Sequence, residues 1–100
     1  MIPKGCTCEN EFSFPFDKDE VVALCVTYKQ NKEVKLKKRL DDCTLKDGKI
    51  YVALEQEDTL KFDDKGIIRV QIKARLKNGK VPKSNIMETY TDEDFCNEVI

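Results

Sequence analysis

Ile68-Arg69-Val70-Gln71-Ile72-Lys73-Ala74-Arg75-Leu76-Lys77 alternates apolar and polar residues without a break. On an extended chain Ile68, Val70, Ile72, Ala74 and Leu76 fall on one side, and Arg69, Gln71, Lys73, Arg75 and Lys77 on the other. Side chains of a strand point to opposite faces at each step, so this period predicts a strand with one buried and one solvated face. Turn signals bound it. Asp63-Asp64-Lys65-Gly66 precedes it, and Asn78-Gly79 follows, a pair that predicts a type I′ turn with positive φ at both central positions.

The same period recurs on either side. Phe12-Ser13-Phe14-Pro15-Phe16 puts its rings on one face, and Pro15, lacking an N–H, confines this stretch to a sheet edge. After the polar turn Asp17-Lys18-Asp19-Glu20, the residues Val22, Leu24, Val26 and Tyr28 share a face, with Cys25 read as a small core residue of that strand. A polar connection over 29–33 leads to Val34 and Leu36, which predicts an antiparallel hairpin. The stretch 40–45 crosses to another strand, Asp47-Gly48 marks a turn, and Ile50, Val52 and Leu54 alternate after it. A short helical turn is expected near 57–62, anchored by Leu60 and Phe62. A last strand is expected over 80–90, interrupted near Val81-Pro82. Thr91 with Asp94 three residues later resembles a capping box, so the tail 91–100 is expected to open as a short helical turn. Residues 1–10 are expected to be extended or mobile.

About six to seven short strands joined by turns predict one all-β domain over 1–100, an immunoglobulin-like antiparallel β-sandwich, with a small barrel as the second choice. The sequence holds no Trp, so the Cys–Trp–Cys core of antibody domains is excluded.

Composition narrows the function. With 40% hydrophobic and 37% charged residues, the chain is too apolar to be disordered and too polar to hold a membrane span. A net charge of −1 argues against nucleic-acid binding through a global positive field. There is no His, which removes the commonest general base and the usual partner of a nucleophilic Ser or Cys. The pairs Asp41-Asp42 and Asp63-Asp64 are adjacent in sequence, so on an extended chain their carboxylates point apart. The cysteines, Cys6, Cys8, Cys25, Cys43 and Cys96, are odd in number, and Cys6-Thr7-Cys8 lacks the spacing of a zinc knuckle. No catalytic residue, metal, cofactor or small-molecule substrate is expected. With no signal-like apolar run at the start, synthesis in a host cytoplasm is expected, without membrane association.

Charge is unevenly placed. Lys35, Lys37, Lys38 and Arg39 form one basic group, and Arg69, Lys73, Arg75, Lys77, Lys80 and Lys83 another, while acidic residues gather in turns and in the tail. Outward Lys and Arg can serve only to keep strands from pairing edge to edge. They can also form a face that docks on an acidic partner, such as the tail of a neighbouring copy.

The succession of motifs carries a resemblance. Met1-Ile2-Pro3-Lys4-Gly5 is followed by FSFPFD (12–17), VTYKQNKEVKLKKRLDDC (26–43), IYVALEQEDTLKF (50–62) and IRVQIKARLKNGKVPKSNI (68–86). From Met1 to Ile86 the chain resembles small virion-structural β-sandwich proteins of Firmicutes phages and prophages. In architecture it is distantly similar to the N-terminal domain of lactococcal phage upper baseplate proteins. The resemblance implies a non-enzymatic structural or accessory protein of the head, neck or tail. Its partners would be other virion proteins and copies of itself, and its destination the virion. The alternative is a small phage-encoded inhibitor of a host defence or nuclease protein. The candidate interface residues are Phe12, Phe14 and Pro15 at a sheet edge and Arg69, Lys73, Arg75 and Lys77 on a strand face.

Overall fold

The computed structural model describes residues 1–100. Seven strands follow one another: β1 (Cys8–Ser13), β2 (Val21–Gln30), β3 (Glu33–Arg39), β4 (Cys43–Lys46), β5 (Lys49–Leu54), β6 (Ile67–Leu76) and β7 (Met87–Tyr90). One helical turn, α1 (Gln56–Thr59), joins β5 to β6, and two 3₁₀ turns, Lys18–Glu20 and Leu40–Asp42, lead into β2 and β4. The strands form two antiparallel sheets, ordered β1-β5-β4 and β3-β2-β6-β7. Hairpins link β2 to β3, β4 to β5 and β6 to β7, and the chain changes sheet between them. This is the connectivity of an immunoglobulin-type sandwich, with the seven strands in the places of B, C, C′, D, E, F and G.

The inner faces close over one core. The five apolar residues of β6 singled out in the sequence, Ile68, Val70, Ile72, Ala74 and Leu76, are all buried, as are Leu24, Val26 and Tyr28 of β2 and Ile50, Val52 and Leu54 of β5. Phe62 anchors the α1 corner, its ring centroid 6.0 Å from that of Tyr28. The hydroxyl of Tyr28 donates to Asn10 Oδ1 at 2.7 Å, so the buried ring also ties β2 to β1 across the sandwich. A buried phenol needs such a partner.

Two β-bulges correct the sequence reading of β2 and β3. Val21 pairs with Leu76 and Ala23 with Arg75, which leaves Val22 as the extra residue. Val21 therefore turns inward and Val22 is 48% exposed. Near the other end of β2, Tyr28 pairs with Leu36 and Lys29 with Val34, so Lys35 is extra and Val34 faces out. Cys25, expected in the core, lies on the outer face, with its sulfur 3.5 Å from Thr27 Oγ1.

Turn chemistry agrees in two places and departs in one. Asn31 and Lys32 both take positive φ (53° and 67°) between β2 and β3, as do Asp47 and Gly48 (52° and 73°) between β4 and β5. These are the torsions of type I′ hairpins. At Asn78-Gly79 only Gly79 has positive φ. The Gly79 N–H donates to Leu76 O and the Leu76 N–H to Lys80 O, giving the longer loop of a type I turn followed by a left-handed glycine. Asn78 instead spends its side chain on the turn, accepting from Lys80 N. The strand expected over 80–90 is interrupted as anticipated. Only Met87–Tyr90 is continuous; before it the chain follows β6 as a lone bridge between Lys73 and Lys83, with hydrogen bonds from Ala74 N–H to Pro82 O and from Ser84 N–H to Ile72 O.

The two ends of the chain meet. Residues 1–10, expected to be extended or mobile, are extended and anchored. Ile2 is buried and forms a parallel bridge with Thr91, and β1 already begins at Cys8. The helical turn expected in 91–100 does not form. Thr91 is buried, its N–H donates to Gly66 O and its hydroxyl to Ile2 O, so its backbone and side chain are both fixed by the neighbouring strands and it continues the sheet.

A mostly buried ion pair fastens β3 to α1, with Lys38 Nζ 2.8 Å from Asp58 Oδ2. Burial raises the pKa of Asp58. The hydrogen bonds from Lys38 and from the Glu55 N–H, with the nearby charges of Lys38 and Lys61, outweigh it and hold the carboxyl below its ordinary value. A carboxyl with a depressed folded pKa stabilises the fold above its unfolded pKa and loses that contribution as pH falls through the folded value. Thermal melts are therefore expected to lose stability on acidification below about pH 4. The loss should be shallower in Asp58→Asn, which is also less stable than the parent at pH 7.

Candidate functional site

The outer face of the four-stranded sheet gathers the charge that the sequence spreads over three strands. In β6 the inward run Ile68 to Leu76 forces Arg69, Gln71, Lys73 and Arg75 outward. β2 presents Ala23, Cys25, Thr27 and Lys29 on the same face, and β3 presents Lys37 and Arg39. The register sets them in rows. Cys25 lies between Arg39 and Lys73, Thr27 between Lys37 and Gln71, and Lys29 beside Arg69. Arg75 sits next to Ala23.

Most of these cations have no counter-ion. Arg69 pairs with Glu88 of β7, Nε to Oε2 3.2 Å, and both side chains are well exposed. Lys29, Lys37, Arg39, Lys73 and Arg75 take part in no ion pair. Like charges on neighbouring strands repel, and an anionic partner laid on the face relieves that repulsion. The neighbouring end of the sandwich has the opposite character. Asp63, Asp64, Asp92, Glu93 and Asp94 cluster there, held by Lys4, whose N–H donates to Asp92 and whose ammonium meets Asp64 at 2.9 Å. That contact is the main reason the Asp64 carboxyl lies below its ordinary pKa.

The residues expected at an interface separate into two places. Arg69, Lys73 and Arg75 share the cationic face. Lys77 lies just past β6, where its N–H donates to Glu20 O. Phe12 and Phe14 point into the sandwich, Phe14 fully buried and edge-on to Phe16 at 5.2 Å, so neither ring is offered to a partner. Pro15 is exposed beyond β1, which is an edge strand of the smaller sheet with Glu9 and Glu11 outward. Sequence reasoning left Lys29, Lys37 and Arg39 out of the candidate face. Lys37 and Arg39 stood out in the sequence as part of a basic run with Lys35 and Lys38. Only the hairpin register separates them from Lys38, which turns in to Asp58.

No group of three or more His, Cys, Asp or Glu side chains is placed to hold a metal ion. The cysteines are all free; Cys6 and Cys96 are exposed, while Cys8, Cys25 and Cys43 are partly buried. Burial pushes the Cys43 thiol up to about 11, and burial with the adjacent Cys6 raises Cys8. Thiolate is the reactive form. In a timed alkylation at pH 8 read by mass spectrometry, Cys6 and Cys96 are expected to label first and Cys43 last. Unfolding in urea should erase the difference.

No helix is long and apolar enough to cross a membrane. No family model, curated protein or solved structure matches this chain.

Proposed function

We propose that this chain is a non-enzymatic structural or accessory protein of a phage particle, working through protein–protein contacts in the head, neck or tail. Two supports meet in this reading. One is the resemblance of the motifs between Met1 and Ile86 to small virion-structural sandwich proteins. The other, which carries it, is the cationic outer face of the β3-β2-β6-β7 sheet, with five unpaired Lys and Arg side chains on rigid strands. Rigid strands hold such charges at fixed spacing, and that favours one acidic partner surface over others. The partners in this reading are other virion proteins and further copies of the chain. Synthesis takes place in the host cytoplasm and the end point is the virion.

Mass spectrometry of density-gradient-purified particles tests it. The polypeptide is expected in particles at a fixed stoichiometry. Abundance in the infected cell with absence from particles would overturn the structural reading in favour of an inhibitor of a host protein.

A further inference from the structure

The cationic face has a shape as well as a charge. Down its middle run the short side chains of Ala23, Cys25 and Thr27, with Lys37 and Arg39 on one flank and Lys73 and Arg75 on the other. Adjacent strands lie about 4.8 Å apart, so the two flanks stand about 10 Å apart. That is a trough for one extended peptide whose alternate side chains reach opposite walls. Toward the β2–β3 turn the trough opens into a cavity of about 730 Å³ lined by Thr27, Lys29, Lys32, Arg69, Gln71 and Ile86. Ile86 is itself exposed, so the cavity joins apolar surface to positive charge.

The complementary sequence is in the same chain. The segment Asp92-Glu93-Asp94-Phe95-Cys96-Asn97-Glu98-Val99-Ile100 has four acidic residues and no basic one. It forms no helix or strand, and its Phe95 is 94% exposed. A ring left in water gains free energy from any apolar site that covers it. Asp92 is anchored, its carboxylate accepting from the Lys4 N–H at 2.9 Å and its carbonyl from the Lys65 N–H at 3.2 Å, and beyond it the bonds to the rest of the fold are few. Glu93 meets Lys65 at 3.5 Å in an exposed pair that salt weakens, and the Ile100 N–H reaches Gln56 Oε1 at 3.2 Å. The latter contact draws the segment toward α1 and away from the trough of its own sheet.

We propose that copies of this chain associate head to tail, residues 93–100 of one copy lying in the β2 trough of the next. Phe95 fills the cavity against Ile86, with Lys29 and Arg69 over its ring as cation–π partners. Glu93, Asp94 and Glu98 meet the unpaired cations of the trough. The two contact surfaces differ, so each pair leaves one trough and one segment unused. The contact is heterologous and propagates into a ring or a stack. It deepens the reading of the cationic face as a contact surface, and rests on it.

Sedimentation velocity tests the contact. The unmodified protein is expected to associate with rising concentration at about 50 mM salt and to dissociate at about 500 mM. Lys29→Glu/Lys73→Glu in the trough and Glu93→Gln/Phe95→Ala in the segment should each weaken association by about tenfold or more. All four positions are exposed, so the thermal melts of both variants should match the parent. A mixture decides the geometry. Each variant keeps the half that the other lost, so together they form a one-to-one complex that grows no further. A parent monomeric at low salt, variants that associate like it, or a mixture that forms no complex would each overturn the proposal. Retention of single-stranded DNA by a monomeric parent would overturn it too, and assign the trough to nucleic acid. Co-purification of a strictly monomeric protein with particles would sink the head-to-tail contact alone. Head-to-tail association of a protein missing from particles would sink only the virion reading.

Discussion

Tyr28→Ala is expected to remove about 3–5 kcal/mol of folding stability, a large part of the ~5–15 kcal/mol typical of a domain. Tyr28 has no exposed surface, and it sits on a central strand of the larger sheet where both layers and the α1 corner converge. Its ring packs against Phe62, and its hydroxyl reaches Asn10 on the opposite sheet. Truncation opens a cavity that strand backbones pinned by their own ladders cannot collapse to fill. Tyr28→Phe separates the two contributions. It keeps the ring and leaves Asn10 Oδ1 without its donor, at a cost of about 1–2 kcal/mol. Urea denaturation followed by circular dichroism measures both variants. Equal losses in the two would show that the hydroxyl bridge, not the ring, holds the sheets together.

Strand identity was legible because β2, β5 and β6 each bury one face. The alternation from Ile68 to Leu76 survives intact in the structure, and so do Ile50, Val52 and Leu54. Alternation fails where the backbone inserts a residue. Nothing in Val21-Val22 says which valine turns inward, because the bulge is set by pairing with Leu76 and Arg75, far along the chain. The same limit hid the candidate face. Lys37 and Lys38 are neighbours of identical chemistry. The register across Asn31-Lys32 sends Lys37 to the outer face beside Thr27 and Lys38 inward to Asp58. The tail misled for a related reason. Thr91 and Asp94 have capping-box spacing, but the Thr91 hydroxyl is claimed by the carbonyl of Ile2, eighty-nine residues away in sequence. Local chemistry proposes a cap, and long-range bonds to Ile2 and Gly66 fix Thr91 in the sheet instead.

Gly66→Ala is expected to destabilise the fold by about 2–4 kcal/mol, although Gly66 does not have positive φ. The reason is Gln30. Its amide is buried at the end of β2 and holds the backbone of Asp63 from both sides, accepting from the Asp63 N–H and donating to the Asp63 carbonyl at 3.0 Å. A methyl on Gly66 would overlap Gln30 Nε2 and lie 3.0 Å from Cδ. The end of a glutamine is usually free to move, but here movement leaves two backbone groups without partners in a closed corner. The clash and the clamp are thus one interaction, which a double-mutant cycle exposes. Gln30→Ala should itself cost about 2–3 kcal/mol by freeing the Asp63 backbone, and should also vacate the space the new methyl needs. Adding Gly66→Ala to it should then cost less than about 0.5 kcal/mol, far from additive. Gly48→Ala is the control. Gly48 has φ +73° with nothing within 4 Å of an added Cβ, so only backbone strain of about 1 kcal/mol is expected there, whatever stands at position 30. An additive result for Gly66 and Gln30 would place the cost in the Gly66 backbone and remove the clamp from the account of how the loop before β6 is held at the end of β2.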